Sequence, residues 1–318
     1  AAAAAGAAPA AARGGKRSSR IRKEDEREEA KAPEALSPRE LIDKFAHQGW
    51  LFAGCTQQTK FLFQVPADLR RRFCDSLTEA YRRRLTYTDE PPAYRDEQRL
   101  LAEDILKFLK FIRHSGVELT ADGTIYKRTL VAILDQLNVK EEPVGKGGWR
   151  FGYGRKINEY PNRFSLIYDY CYYNRLIDEL EGELAVAEAG EALIAENRAP
   201  ETGDVYRFWL RLYKNPIRNL QSLVHWIDRL AQDWVTLASL SRVLVPLIRP
   251  YYYDSAESIL TNRIVIMMMH LGLLRVGESP AEGAVIRMTP LGSAVVRGNR
   301  VREEERIALP PDAAPRTG

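Results

Sequence analysis

The residues of this 318-residue chain best suited to chemistry sit in one loop, Gly145-Lys146-Gly147-Gly148-Trp149-Arg150-Phe151-Gly152-Tyr153-Gly154-Arg155-Lys156. It packs four cations, three aromatics and five glycines into twelve positions. Glycine lets a backbone approach a ligand closely, aromatic rings stack on unpaired bases, and cations neutralise phosphate, a mixture suited to single strands or a distorted duplex. Arg150, Arg155 and Lys156 are therefore candidate nucleic-acid contacts, with an ordinary hairpin bearing solvated cations as the plain alternative. A phosphate loop does not fit, because Gly152-x-Gly154 runs into Arg155-Lys156-Ile157-Asn158 without a third glycine or a Lys-Ser/Thr pair. Asn262, Arg263 and Arg287 form a second set, Asn and Arg suiting base edges or phosphate and Arg287 suiting phosphate. Helix capping and solvation are the competing reading. Lys127 and Arg128, expected at the start of a helix, are a third backbone-contact candidate against a plain surface role.

Catalysis and metal binding have little to draw on. His47, His114, His225 and His270 are scattered through helical stretches without a Cys, Ser or carboxylate at triad or metal spacing. Cys55, Cys74 and Cys171 form no Cys-x-x-Cys pair. No enzyme activity, cofactor or metal is expected, and a reducing cytosol is the natural compartment. The longest apolar stretch, Ile264 to Met269, is far shorter than a membrane span. The net charge of +4 conceals a negative segment over 136–200 and a positive one over 201–300, so a polyanion should prefer the C-terminal third. Arg70-Arg71-Arg72 and Arg82-Arg83-Arg84 read as exposed helical faces.

The elements that must position these groups follow from hydrophobic period. Residues 1–35 open on an Ala-rich stretch, continue in mixed charge, and carry too few large apolar side chains to offset ordering entropy, so they read as a tail; 301–318 read as a second. Ser37-Pro38 caps a helix through Leu41, Ile42 and Phe45, and two β-prone runs, Trp50-Leu51-Phe52 and Phe61 to Pro66, make a hairpin. The same helix-corner-hairpin order recurs twice: Asn162 to Arg175, then Leu176-Ile177 and Glu183 to Val186; and Glu257 to Leu271, then Leu273 to Val276 and Val285 to Met288. Asn162-Arg163 and Asn262-Arg263 are expected to head their helices at an interval of 100 residues. Upstream of these copies, Leu100 to His114, Val117 to Thr120 and Lys127 to Leu137 are matched by Leu220 to Ala231, Trp234 to Leu237 and a helix capped by Ser239. Helix, strand, helix, helix, strand, wing, strand is the order of the winged helix-turn-helix, whose third helix can enter a major groove. The tyrosines of 168–173 and Tyr251-Tyr252-Tyr253 are expected to pack amphipathically with their hydroxyls outward.

Leu100 to Leu137, with Val-Glu-Leu-Thr-Ala-Asp-Gly-Thr-Ile-Tyr-Lys-Arg-Thr-Leu after its long helix, resembles the bacterial helicase-associated domain related to the N-terminal region of XPB-type DNA helicases. Gly49 to Pro66 and Leu273 to Gly292 extend the resemblance to roughly 38–298. It implies tandem winged helices working beside a helicase, repair or transcription machine. The chain departs from helicase-fused members in having no Gly-x-x-x-x-Gly-Lys-Ser/Thr loop and no Asp-Glu-x-His box, and residues 138–161 intervene where a short turn is usual.

The expectation is a mostly α protein with small β-hairpins, built as tandem winged helix-turn-helix modules. Its segments are a tail (1–35), a partial unit and helical linker (36–98), a winged helix with a long Gly/aromatic loop (99–200), a second winged helix (201–300) and a tail (301–318). The expected function is non-catalytic binding of duplex or junction DNA, cytoplasmic and at the nucleoid, with affinity falling steeply with salt. A protein-interaction scaffold without direct DNA contact is the alternative, supported by the acidic middle wing Asp178, Glu179, Glu181 and Glu183.

Overall fold

The structure, a computed structural model, describes residues 36–54, 56, 57, 59, 62–145 and 151–301. Helices make up about half of the chain, and the strands form small antiparallel sheets. No helix among the described residues is long and apolar enough to cross a membrane. The chain divides into two units, Ala1–Arg70 and Arg71–Gly318.

In the first unit, α1 (Pro38–His47) starts from a reciprocal cap. The Glu40 N–H donates to Ser37 Oγ at 3.3 Å, and the Ser37 N–H donates to the Glu40 carboxylate at 2.7 Å. The two-stranded pair β1 (Phe52–Ala53) and β2 (Phe63–Gln64) follows. No residue of α1 is buried, and Leu41, Phe45, Phe52 and Phe63 are exposed. The first turn of α2 (Ala67–Arg82) completes the unit.

The second unit continues α2, whose arginines 71, 72 and 82 are exposed as expected, as are Arg83 and Arg84 in the turn that follows it. It adds β3 (Tyr94–Arg95), α3 (Leu100–Ser115), β4 (Val117–Glu118), α4 (Lys127–Gln136), α5 (Asn162–Tyr173), β5 (Ile177–Leu180), β6 (Glu183–Val186), α6 (Glu188–Ala195), α7 (Thr202–Tyr213), α8 (Leu220–Leu230), β7 (Val235–Thr236) and α9 (Leu237–Leu244). A helical run then comprises α10 (Ala256–Ser258), a π-helical stretch (Ile259–Val265) and α11 (Ile266–His270), followed by β8 (Leu274–Ser279), β9 (Gly283–Met288) and α12 (Pro290–Gly298). The sheets have strand orders β4-β6-β5 and β3-β8-β9-β7. In each, the strand ahead of the second helix pairs with the return strand of the hairpin. One apolar core runs through both repeats.

The repeat is visible in matched contacts. The Ala187 N–H donates to Leu176 O at 3.0 Å and the Thr289 N–H to Leu273 O at 2.9 Å. A Cβ on Gly190 would lie 2.3 Å from Leu176 O, and one on Gly292 1.9 Å from Leu273 O. Both helices after the hairpins therefore need glycine for the same close approach. Leu176 thus corresponds to Leu273, which corrects the expected interval of 100 residues. Asn162 does open α5, but Asn262 and Arg263 lie inside the π-helical stretch, well past the Ser255 cap. The cap of α9 is also corrected: Thr236 Oγ1 accepts the Ser239 N–H at 3.2 Å, so Ser239 is inside the helix.

The larger correction concerns the third helices. Every side chain from Arg163 to Tyr172 is buried, including tyrosines 168, 170 and 172 that were expected to reach the surface. Along 256–270 only Glu257 and Asn262 are exposed. A helix buried on every side packs as core and has no face left for a groove. Charge fixes α5 there. Arg163 is fully buried, its Nε 3.1 Å from Glu97 Oε2 and its Nη1 2.7 Å from Asp104 Oδ2. The Asp104 contact is an ion pair without hydrogen-bond alignment. Glu97 also forms an ion pair with Arg95 at 2.7 Å and faces His270 Nδ1 at 3.0 Å. Burial alone would raise the Glu97 pKa, but the His270 hydrogen bond and the neighbouring charges hold it below its usual value. Glu141 accepts the Arg163 and Phe164 N–H groups at 3.0 and 2.8 Å, satisfying amides that the Pro161 N-cap cannot.

Replacing Arg163 with Met should destabilise the fold by about 3–5 kcal/mol in chemical denaturation, because Glu97 and Asp104 lose their buried partner. A loss below about 0.5 kcal/mol would remove this cluster from the account.

Candidate functional site

The Gly/aromatic loop is tied down at its C-terminal half, while Lys146, Trp149 and the candidate Arg150 lie outside the described residues. Tyr153, Ile157 and Tyr160 are buried, so residues 151–161 are anchored in the core at three points while 155, 158 and 159 remain exposed. Tyr160 Oη accepts the Ile125 N–H at 2.9 Å, and Lys156 Nζ donates to Asp122 O at 2.9 Å. These contacts dock the segment onto the turn ahead of Lys127 and Arg128. Gly154 lies against α5, where a Cβ would come 2.8 Å from Asp169 Oδ2 and 3.0 Å from Ser165 Oγ, so any larger residue would have to displace those two side chains.

Two expected phosphate contacts are already engaged by protein. Arg155 forms a two-pronged ion pair with Glu179, one arm at 2.7 Å, and its guanidinium lies 3.9 Å from the Tyr172 ring centroid. Burial would raise the Glu179 pKa, but the Arg155 and Tyr168 hydrogen bonds hold it below the ordinary range. Arg263 is 8% exposed, its Nε 2.9 Å from Asp254 Oδ2 and Nη2 donating to Phe151 O. It positions the loop and is not available to a phosphate, so changing it to Glu would break a buried ion pair rather than a surface contact. Arg287 is half-buried with Nε donating to Gln232 O at 3.1 Å. Asn262 is exposed, its Nδ2 3.3 Å from Ser258 Oγ. Lys127 and Arg128 are exposed and make no ion pair among the described residues.

The two β-hairpins present carboxylates. Asp178, Glu181 and Glu183 are exposed on the first hairpin, and Glu278 and Glu282 on the second. The outer edge of the second hairpin is paired with β3, Tyr94 opposite Gly277.

Asp254 is the residue that the spacing rules miss. It accepts from Arg263, from Tyr153 Oη at 3.1 Å and from Ser258 Oγ at 3.1 Å, and its backbone bonds reciprocally with Tyr251 at 3.1 and 3.0 Å. That closes a turn whose two central residues are Tyr252 and Tyr253, 80% and 76% exposed, which corrects the expectation that they pack. Phe151 lies beneath, its ring 6.1, 6.2 and 5.8 Å from those of Tyr251, Tyr252 and Tyr253. The only sequence signal was the aromatic run itself, since a buried ion pair nine residues apart follows no helical spacing. Among the described residues no group of His, Cys, Asp and Glu is placed to hold a metal ion.

No family model, curated protein or solved structure matches this chain.

Asp169, beneath Gly154, accepts the Arg155 N–H at 3.1 Å through Oδ2, while Oδ1 has no hydrogen-bond partner. Burial pushes its pKa up to about 7 against the partial opposition of Arg155. The native state therefore keeps a proton that the unfolded chain releases near pH 4, and stability falls between about pH 4 and 7, then levels off. Asp169→Asn should stabilise the protein more at pH 8 than at pH 5, with a difference on the order of 1–3 kcal/mol in denaturant titrations. An equal effect at both pH values would contradict this.

Proposed function

We propose that this chain is a non-catalytic tandem winged-helix protein that binds nucleic acid through the face formed by its Gly/aromatic segment and the Tyr251–Tyr253 turn. The helicase-associated resemblance is consistent with a role beside a helicase, repair or transcription machine. The observation that carries the reading is the pair of exposed tyrosines held over Phe151 by the Asp254–Arg263 ion pair. The exposed Arg249 is two residues before the turn and makes no ion pair among the described residues.

This mode differs from insertion of a third helix, because both third helices are buried and both wing tips carry carboxylates. Those same two facts favour the second reading, a scaffold whose winged helices dock protein and leave DNA alone. The steep salt dependence expected of a groove binder is replaced by a shallow one. Even two phosphate contacts on a single strand give a log–log slope of only about −1.4.

Fluorescence anisotropy of the full chain with random-sequence duplex, forked and single-stranded DNA over a salt series separates the readings. The proposal expects binding with a slope shallower than about −3. No binding of any form at low salt would reject it in favour of the scaffold.

A further inference from the structure

We propose that the cleft between α2, α8 and α12 is a binding site for a small phosphate-bearing molecule. It shares no residue with the Tyr251–Tyr253 face and does not depend on the nucleic-acid reading above.

The cleft has a volume of about 520 Å³, within the range of small-molecule sites. Arg82 stands in its wall from α2, His225 and Arg229 from α8, and Arg297 from α12. Its carboxylates are Asp75, Glu79 and Asp228, and each already has an arginine: Asp75 has Arg229 at 2.6 Å, Glu79 has Arg83 at 2.6 Å, and Asp228 has Arg297 at 2.9 Å. Asp228 is buried and also accepts from Ser293 Oγ at 2.6 Å. Those pairs cancel in charge.

Two further arginines have no such match. Arg82 is exposed, makes no ion pair among the described residues, and reaches across to α8, its Nη2 donating to Arg229 O at 3.3 Å. Arg300 is likewise exposed and without an ion pair among the described residues. The chain beyond α12 returns along α8, the Val301 N–H donating to Gln221 Oε1 at 3.0 Å, which brings Arg300 near enough to act on His225. Arg82 and Arg300 are therefore the excess, and the excess is positive.

His225 reports that excess. It is half-buried, and its ring nitrogens make no hydrogen bond among the described residues. Burial first, then Arg229, Arg300 and Arg297 against the single opposing Asp228, hold its pKa below the ordinary histidine value. At pH 7 it is a neutral imidazole with an N–H to donate, and an anion beside it would favour its protonation.

Guanidinium groups arriving from three helices suit an anion that offers oxygens on several sides, as a phosphate does and a planar carboxylate does not. Arg229 is already fixed, its Nε donating to Thr78 Oγ1 at 2.7 Å, so little ordering is lost on binding. The volume exceeds that of a bare phosphate and leaves room for an organic group. A nucleic-acid backbone carries the same chemistry, but a cleft between three helices favours a free molecule over a continuous strand.

The chain has four histidines, so their ring signals are few, and His225→Gln identifies the one at issue. Proton NMR of the full chain would follow that signal through a pH titration with pyrophosphate, with oligothymidylate, and with neither. Sodium chloride matches the ionic strength throughout, because screening alone would raise the midpoint. Pyrophosphate should shift the His225 signal saturably and raise its midpoint by at least about 0.5 pH unit, leaving the other histidines unmoved. Arg82→Gln, at an exposed position, should weaken pyrophosphate about ten-fold with the unfolding midpoint unchanged. No response of His225 to millimolar pyrophosphate, or undiminished binding by a folded Arg82→Gln, Arg300→Gln double variant, would overturn the site. A response to oligothymidylate without one to pyrophosphate would also overturn it and assign the cleft to a nucleic-acid interface.

Discussion

An arginine with no access to water sits at the centre of the second unit, and the arrangement around it follows from the need to neutralise it. Arg163 is held by Glu97 and Asp104, and a carboxylate or guanidinium left alone there would be costly. The three come from separate places: the first turn of α5, the segment ahead of α3, and α3 itself. Glu97 also faces His270, at the end of the second repeat's third helix. One carboxylate therefore touches the third helices of both repeats. Both helices lie buried, with only Glu257 and Asn262 exposed along 256–270.

What remains available is set by a second buried ion pair. Asp254 and Arg263 join the second repeat to the segment inserted in the first, since Arg263 donates to Phe151 O and Tyr153 donates to Asp254. The insertion between α4 and α5 is thus anchored in the core over 151–161 by Tyr153, Ile157 and Tyr160. The tyrosine turn rests on the same pair. Rigid support beneath exposed rings reduces the ordering cost that binding would otherwise incur. The two hairpins, with Glu181 at one turn and Glu282 at the other, carry charge of the wrong sign for a phosphate backbone.

Much of the element order was legible in the sequence because local rules govern it. Ser37-Pro38 marks the first helix, Leu101 to Ile112 show the period of α3, and the alternation around Ile177 and Val285 marks the hairpins. The short strand β3 and the helix α6 gave weaker signals, being respectively a two-residue edge pairing and a short run without a side-chain cap. The site was less legible. Residue type put Arg155 and Arg263 on a list of phosphate contacts, but whether an arginine is free depends on its long-range carboxylate. Glu179 and Asp254 cannot be assigned to them from spacing. The tyrosine run looked like packing because nothing local reveals that Tyr252 is left-handed or that Phe151 lies under it.

Hydrogen–deuterium exchange of the full chain with and without oligothymidylate tests the central claim most directly. The account predicts slowed exchange over residues 151–157 and 251–254 on binding, with the hairpins at 177–186 and 274–288 unchanged. Slowing confined to those hairpins and to 257–262, with 251–254 unaffected, would contradict it and return the contact to the wings and third helix.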